Sequence, residues 1–458
     1  MFIGSVLSKY IVETKFEDFP QEVVKKAKEC LFDSLGVTLA GSLTPSGRIY
    51  IDFARYRDGR SESTLLGTKY MVSCLAASYA NSLMANAMDY DDVSANPIGH
   101  PGATIIPPAI AVGERVHASG KELLTSVVVG YELELRIGDA IQPTPERRDK
   151  VYGHGTWQTF GAVTSAGKLL NLSQDQMENA IGLAGSNAPV PSLWKAKTDD
   201  LERTQMTKNN YGYASEVGVS AALHAQRGFM GPLDILDGDL GFWRMCGSDR
   251  CDFDRMTERL GEEYKILGVI FKRYPCCAWI HPSLDAALSI IKENKINVKD
   301  IEKINVRTFK YATRNHFNNP IPNNIYHATC STKYNIAATI AGVKRSMQWQ
   351  SNDTLKNPQI LELAKKVNLV EDPEATKAYD TKPQRMLSAV EINAKGRRYI
   401  NKSELRYDAK YDPMPDAKEK FRVLASGVIN PRYIEKIIDM IYELEKVNDI
   451  IKLMKLFR

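Results

Sequence analysis

The sequence predicts a mainly α protein with an α+β part: a large all-helical body and a smaller unit in which strands and helices mix. Three observations carry this. Apolar residues recur at helical spacing through most of the first two-thirds of the chain. Near Leu267 the character changes, and 301–311 and 386–394 alternate apolar and polar residues as half-buried strands do. From Asp416, a plausible N-cap, helical spacing returns.

Taken in order, Phe19-Pro20 opens a helix whose apolar face is Val23, Val24, Ala27, Leu31 and Leu35, loosened towards its end by Gly36 and Gly41. The small, apolar run 76–88 has the composition of a tightly packed helix. Pro107-Pro108 is expected to start another, ending near Gly120, because proline suits a first helical turn. The next spans 121–141; Glu132 and Glu134 follow its most apolar stretch closely, so it reads as a buried core helix. A helix over 160–170 leads to Ser173 and Gln176, a capping-box pair that starts the following one. The Ala-rich run 214–226 is stopped by Gly228. Beyond the change of character, helices at 283–295 and 333–341 separate the strands, and Lys395-Gly396 turns the chain into a further strand at 398–401. The last helix, 432–453, is amphipathic.

Composition excludes several classes. With 458 residues, 43% apolar and 25% charged, the chain can bury a large core. A net charge of +5 from 60 basic and 55 acidic residues is mild and dispersed, so no nucleic-acid partner is expected. No run reaches the ~18 apolar residues of a membrane span, and Met1 to Tyr10 lacks the apolar core of a signal peptide. Seven cysteines at irregular spacing suggest reduced thiols and a cytoplasmic protein. Neither a dinucleotide fingerprint, a P-loop nor a GxSxG elbow occurs.

Four stretches carry more polar residues than their apolar settings explain. Asp89-Tyr90-Asp91-Asp92, with His100-Pro101-Gly102 behind it, gathers three carboxylates after an apolar helix. Their repulsion is relieved by a cation or by raised pKa values. An EF-hand reading fails for want of further ligands, and a solvated helix end is the bland alternative. Tyr152-Gly153-His154-Gly155-Thr156 sets a histidine between glycines, open to a ligand and suited to acid/base work. Lys208 stands just before the Ala-rich helix, where amide nitrogens and an ammonium together favour an anion. Phe271-Lys272-Arg273-Tyr274-Pro275-Cys276-Cys277, with His281-Pro282, reads as a strand-like run ending in two cations and two thiols. Adjacent cysteines chelate zinc poorly, so no metal site is assigned.

Together, in this order, the four stretches resemble the MmgE/PrpD superfamily, which includes 2-methylcitrate dehydratase, cis-aconitate decarboxylase and iminodisuccinate epimerase. Further likeness lies in the opening helix from Glu22 to Gly36, in Leu169 to Ala184, and in Ser331 and Tyr334 before Ala337-Ala338. The resemblance implies an all-helical domain over 1–266 and 405–458, an α+β lid domain over 267–404, a homodimer, and neither metal nor organic cofactor. Asp89, His100, His154 and Lys272 fall on the family's catalytic positions, and Lys208, Asp92, Cys277 and Tyr334 on substrate-binding ones. Val93 and Cys277 stand where the cis-aconitate decarboxylases carry threonine and histidine. Ala278 and Thr329 replace basic residues.

What the resemblance implies for function is a lyase on a small di- or tricarboxylic acid. Lys208 and Lys272 would hold carboxylates, His154 or Asp89 would take a proton α to one of them, and His100 would act as the opposing acid. A dehydratase of the 2-methylcitrate type ranks first, a dicarboxylate epimerase second, a cis-aconitate decarboxylase third. A carboxylate-binding homologue without catalysis is the alternative outside enzymology.

Overall fold

Among the described residues of the first 226, helical periodicity is realised as nine helices of eight residues or more. They are α1 (Ile3–Glu13), α2 (Gln21–Ser42), α3 (Pro45–Tyr56), α4 (Cys74–Asn86), α5 (Gly102–Val116), α6 (Gly120–Ala140), α7 (Thr159–Leu169), α8 (Gln174–Asn187) and α9 (Tyr211–Gln226). This computed structural model describes all residues except 58, 96, 149, 153, 191, 194–210, 382–383 and 407–415, and leaves aside the side chains of 95, 152, 154, 192, 193 and 406. Lys208 therefore lies outside the described residues, as does the His154 side chain. Among the described residues no helix is long and apolar enough to cross a membrane.

Three sequence expectations about helices change, one of them at the chain's end, where the helix expected over 432–453 stops at Tyr442 and a 3-10 turn and a separate short helix, Ile451–Met454, follow. α5 begins at Gly102, so Pro107 and Pro108 lie inside it rather than at its start. Packing against α4, α6 and α7 outweighs the hydrogen bonds the two rings forgo. α2 runs unbroken through Gly36 and Gly41. A Cβ on Gly41 would lie 1.9 Å from the Met84 carbonyl oxygen, so this glycine permits a close crossing of α2 and α4. The capping box at Ser173 and Gln176 forms as expected, with both reciprocal bonds present.

The α+β unit holds α10 (His281–Asn294), α11 (Thr332–Ile340), α12 (Pro358–Lys365) and α13 (Pro373–Asp380) around a four-stranded sheet. Its strands are β1 (Ile301–Thr308), β2 (Val367–Glu371), β3 (Arg385–Ala394) and β4 (Arg397–Arg406), in the order β4-β3-β1-β2. β3 and β4 form a hairpin, β1 pairs antiparallel to β3, and β2 joins parallel to β1. The expected strand at Phe271 is a single bridge: Ile270 exchanges both backbone hydrogen bonds with Val93, at 2.9 and 3.0 Å. The chain then returns to helices α14 (Ala417–Ala425) and α15 (Pro431–Tyr442). Asp416 caps α14 with its side chain, as expected.

The apolar cores follow this division. The largest cluster takes residues from Leu7 to Phe271 and resumes from Ala417 to Phe457, while a second runs from Tyr274 to Ile392. A third sits at the junction and packs Val93 and Ile270 against Phe309, Tyr379 and Leu405.

Candidate active site

The site is built where α4 ends. Asn86 closes that helix, and Asp89 then takes φ of 50°, a left-handed conformation that aspartate tolerates better than most residues. With this turn made, the Asp89 carbonyl and carboxylate face the same ammonium. Lys272 Nζ donates to the carbonyl oxygen at 2.7 Å and to Oδ1. Lys272 arrives from the α+β side because the Val93–Ile270 bridge holds the two chains side by side, two residues before it. Both side chains are buried, Lys272 to 1% exposure.

Residues Ser94–Ala95 then pair with Ile98–Gly99 in a small hairpin that returns His100 to the carboxylates. Its Nε2 lies 3.8 Å from Asp89 Oδ1, and its Nδ1 lies 3.2 Å from Asp91 Oδ1. Asn86 donates to both oxygens of Asp91, at 2.9 and 3.1 Å. Burial, with Lys272 adding to it, lowers the His100 pKa below its ordinary value, against the opposing pull of Asp91 and Asp89. The imidazole is therefore neutral at neutral pH.

Behind His100 the structure is fastened twice. Gln158 donates to the His100 carbonyl at 2.7 Å and accepts from its N–H at 3.4 Å. Its amide reaches Glu134 at 3.1 Å, whose carboxyl burial pushes well above the usual range. Asp92 receives the Gly102 N–H at 2.8 Å and the Tyr131 hydroxyl at 2.7 Å. A Cβ on residue 102 would meet Asp92 Oδ1 at 2.6 Å, so glycine is required in the HPG turn. Burial and the nearby Asp33 push Asp92 up to about 7.

The sequence-derived site residues separate into groups. Asp89, His100 and Lys272 meet in one buried cluster. Asp92 lies beside it with both oxygens engaged by the protein. Tyr334 is fully buried in the α+β core, its hydroxyl donating to the Trp349 carbonyl at 2.5 Å. Cys277, half-buried, donates its backbone N–H to the Thr329 carbonyl at 2.9 Å. His154 opens a short helical turn, His154–Trp157, that leads into Gln158.

Several residues were missed from sequence. Asn86 and Gln158 gave no signal, because their partners lie 5 and 58 positions away and neither belongs to a charged motif. Lys420 and Gln350 are further omissions. Lys420 bonds Asp33 Oδ1 at 2.6 Å and the Tyr90 carbonyl at 2.5 Å, bracing the carboxylate loop from α14. Gln350 links the loop to the α+β unit through the carbonyls of Met88 and Pro275, at 3.0 and 2.5 Å. A cavity of about 280 Å³ also bridges the two units, between Ile98, Trp157 and Arg250 on one side and Tyr379 and Gln384 on the other. Asp89, His100 and Lys272 do not line it, so the charged cluster marks the site.

Asp89, Asp91 and His100 offer ligand atoms within 4.8 Å of one another, close enough to share one cation. The donor set fits an ammonium better. Lys272 occupies Asp89, the Asn86 amide occupies both Asp91 oxygens, and either would face an incoming metal with its own positive end.

A helical body and a mixed unit that meet at a buried carboxylate–imidazole–ammonium cluster define the architecture, and comparison with known proteins places it. Residues 5–253 match the MmgE/PrpD N-terminal domain and residues 274–446 the MmgE/PrpD C-terminal domain. The chain belongs to the MmgE/PrpD family. Among its relatives, the cis-aconitate decarboxylase of Mus musculus is 25% identical over 454 residues, covering 95% of this chain and 89% of the relative. That of Homo sapiens is 24% identical, with 93% and 88% covered, and that of Aspergillus terreus 23%, with 96% and 92% covered.

Proposed function

We propose that this chain is a lyase acting on a small di- or tricarboxylic acid, with negative charge developing on the carbon next to a carboxylate. The observation that supports it most is the buried meeting of Lys272, Asp89 and neutral His100 at the junction of the two units. An electron pair left on such a carbon spreads onto its carboxylate, and an ammonium in a water-poor site stabilises that charge. Asp89 Oδ1 is already engaged by Lys272, whereas among the described residues the nearest ion-pair partner of His100 Nε2 is Asp89 Oδ1 at 3.8 Å. His100 is therefore the group we assign to exchange a proton with the substrate, and His154 and Lys208 are retained as its partners. Asp92 and Tyr334 act as braces in this reading, since the protein itself takes up their polar atoms.

Loss of water and loss of carbon dioxide share this chemistry. The relatives' activity favours decarboxylation, while Val93, Cys277, Ala278 and Thr329 favour a substrate other than cis-aconitate. The division at 267 and 405 is proposed with it, supported by where the apolar clusters change. So is a homodimer, which the exposed run Phe229, Met230, Leu233 and Leu240 supports as a candidate contact.

Proton NMR in deuterated water, with cis-aconitate, citrate, 2-methylcitrate and iminodisuccinate offered together, tests the reading. An olefinic product from a hydroxy acid identifies a dehydratase, and a product one carbon shorter identifies a decarboxylase. Deuterium at the α carbon without net loss identifies an epimerase. Activity should survive dialysis against a chelator. Four unchanged substrates, with no binding by calorimetry, would count against the proposal.

A further inference from the structure

The Asp91 carboxylate is 1% exposed, sits 3.2 Å from His100 Nδ1, and takes both of its oxygens' hydrogen bonds from Asn86. Among the described residues, its ion-pair contact within the reacting cluster is to the imidazole. A lone pair on Nδ1 would be set against a negative oxygen at that distance. A proton there turns the repulsion into a charge-assisted hydrogen bond. Asn86 Nδ2 also lies 3.4 Å from Nδ1, but its hydrogens have nearer acceptors on Asp91. Gln158 meanwhile holds the His100 main chain at both its N–H and its carbonyl, so the ring is fixed from two directions. Among the described residues, the charged groups facing the ring are Asp91, Lys272 and Asp89, and the Tyr211 ring packs 5.7 Å away.

We propose that Asp91 is a positioning residue that holds neutral His100 as its Nδ1–H tautomer, so that Nε2 presents a lone pair beside the Lys272–Asp89 pair. The proton that leaves or reaches the substrate carbon passes through Nε2: the C–H electron pair stays on carbon, and the imidazolium that forms faces Asp91. The catalytic consequence rests on the lyase reading; the tautomer does not.

The test uses the full chain labelled with ¹⁵N at histidine. Long-range proton–nitrogen correlation at pH 7 reads which ring nitrogen carries the proton, and His100→Gln identifies the signal. Wild type should show Nδ1 protonated and Nε2 bare. Asp91→Asn and Asp91→Ser, checked for folding by circular dichroism, should shift the proton towards Nε2. Wild-type His100 protonated at Nε2 or at both nitrogens overturns the proposal, and so does a wild-type tautomer retained in a folded variant. With whichever carboxylate the wild type consumes, Asp91→Asn should lower kcat by roughly 10²–10⁴-fold and leave KM within about threefold. A raised KM with unchanged kcat also overturns it. If no carboxylate is consumed, the lyase reading fails and the tautomer measurement still decides this one.

Discussion

At the scale of single residues, the site depends on charges that burial makes hard to replace. Lys272→Met removes the donor to the Asp89 carbonyl and to Asp89 Oδ1, and kcat should fall on the order of 10²–10³-fold in the NMR assay. Lys272→Arg should not restore it, because a planar fork does not fit a point-charge site at 1% exposure. Asp92 gives a different kind of prediction. Its folded pKa, pushed up to about 7, lies above its value of 3.8 when unfolded. The folded state thus binds the extra proton between these limits, and stability falls as pH rises from about 4 to about 7. Asp92→Asn keeps the shape and removes the titration. Its stability relative to wild type should improve by roughly 1–3 kcal/mol between pH 5 and pH 8. Equal differences in melting temperature at the two pH values would refute this. The motifs around Asp89, His100 and Lys272 were legible in sequence because charges crowded into apolar runs stand out. The amides of Asn86, at a helix end, and Gln158, just before one, were not, since neutral side chains there look like any others until their partners are known.

At the scale of elements, close helix crossings carry the load. Gly41→Ala forces a methyl against the Met84 carbonyl, separating α2 from α4. A loss of about 1–3 kcal/mol is expected, read as a lower urea midpoint at unchanged slope. Helical spacing picked out α2, α4 to α11, α14 and the first half of the last expected helix, because an apolar face is written into the periodicity, and it missed the short α1, α3, α12 and α13. Pro107 and Pro108 misled as a start signal, since proline's preference for a first turn is weaker than the packing that surrounds α5. β2 escaped notice because its burial barely alternates: only Val367 is buried, and Leu369 is half-buried. The run before Lys272 looked like a strand, and tertiary contact uses only one pair of it.

For the whole molecule, the chain leaves the helical body, builds the α+β unit, and comes back. Its return places Lys420 against Asp33, 387 positions earlier. Burial lowers the Lys420 pKa and raises that of Asp33, each opposed by the other's charge. Lys420→Met strands the Asp33 carboxylate and should cost about 3–5 kcal/mol, whereas adding Asp33→Leu should recover much of that. Chemical denaturation of the two single variants and the double variant would measure it, and an additive cycle would show that the pair is not coupled.

That same brace has a consequence during synthesis. The Tyr90 carbonyl, next to Asp89, receives its ammonium only once residue 420 has been made. At about 5–20 residues per second, the ribosome leaves roughly 15–65 s between the two. Through that interval a nascent chain carries the carboxylate loop without its anchor and the inner face of α2 without α14. A stalled or clipped product lacking those last helices should be a client for chaperones rather than a smaller working enzyme.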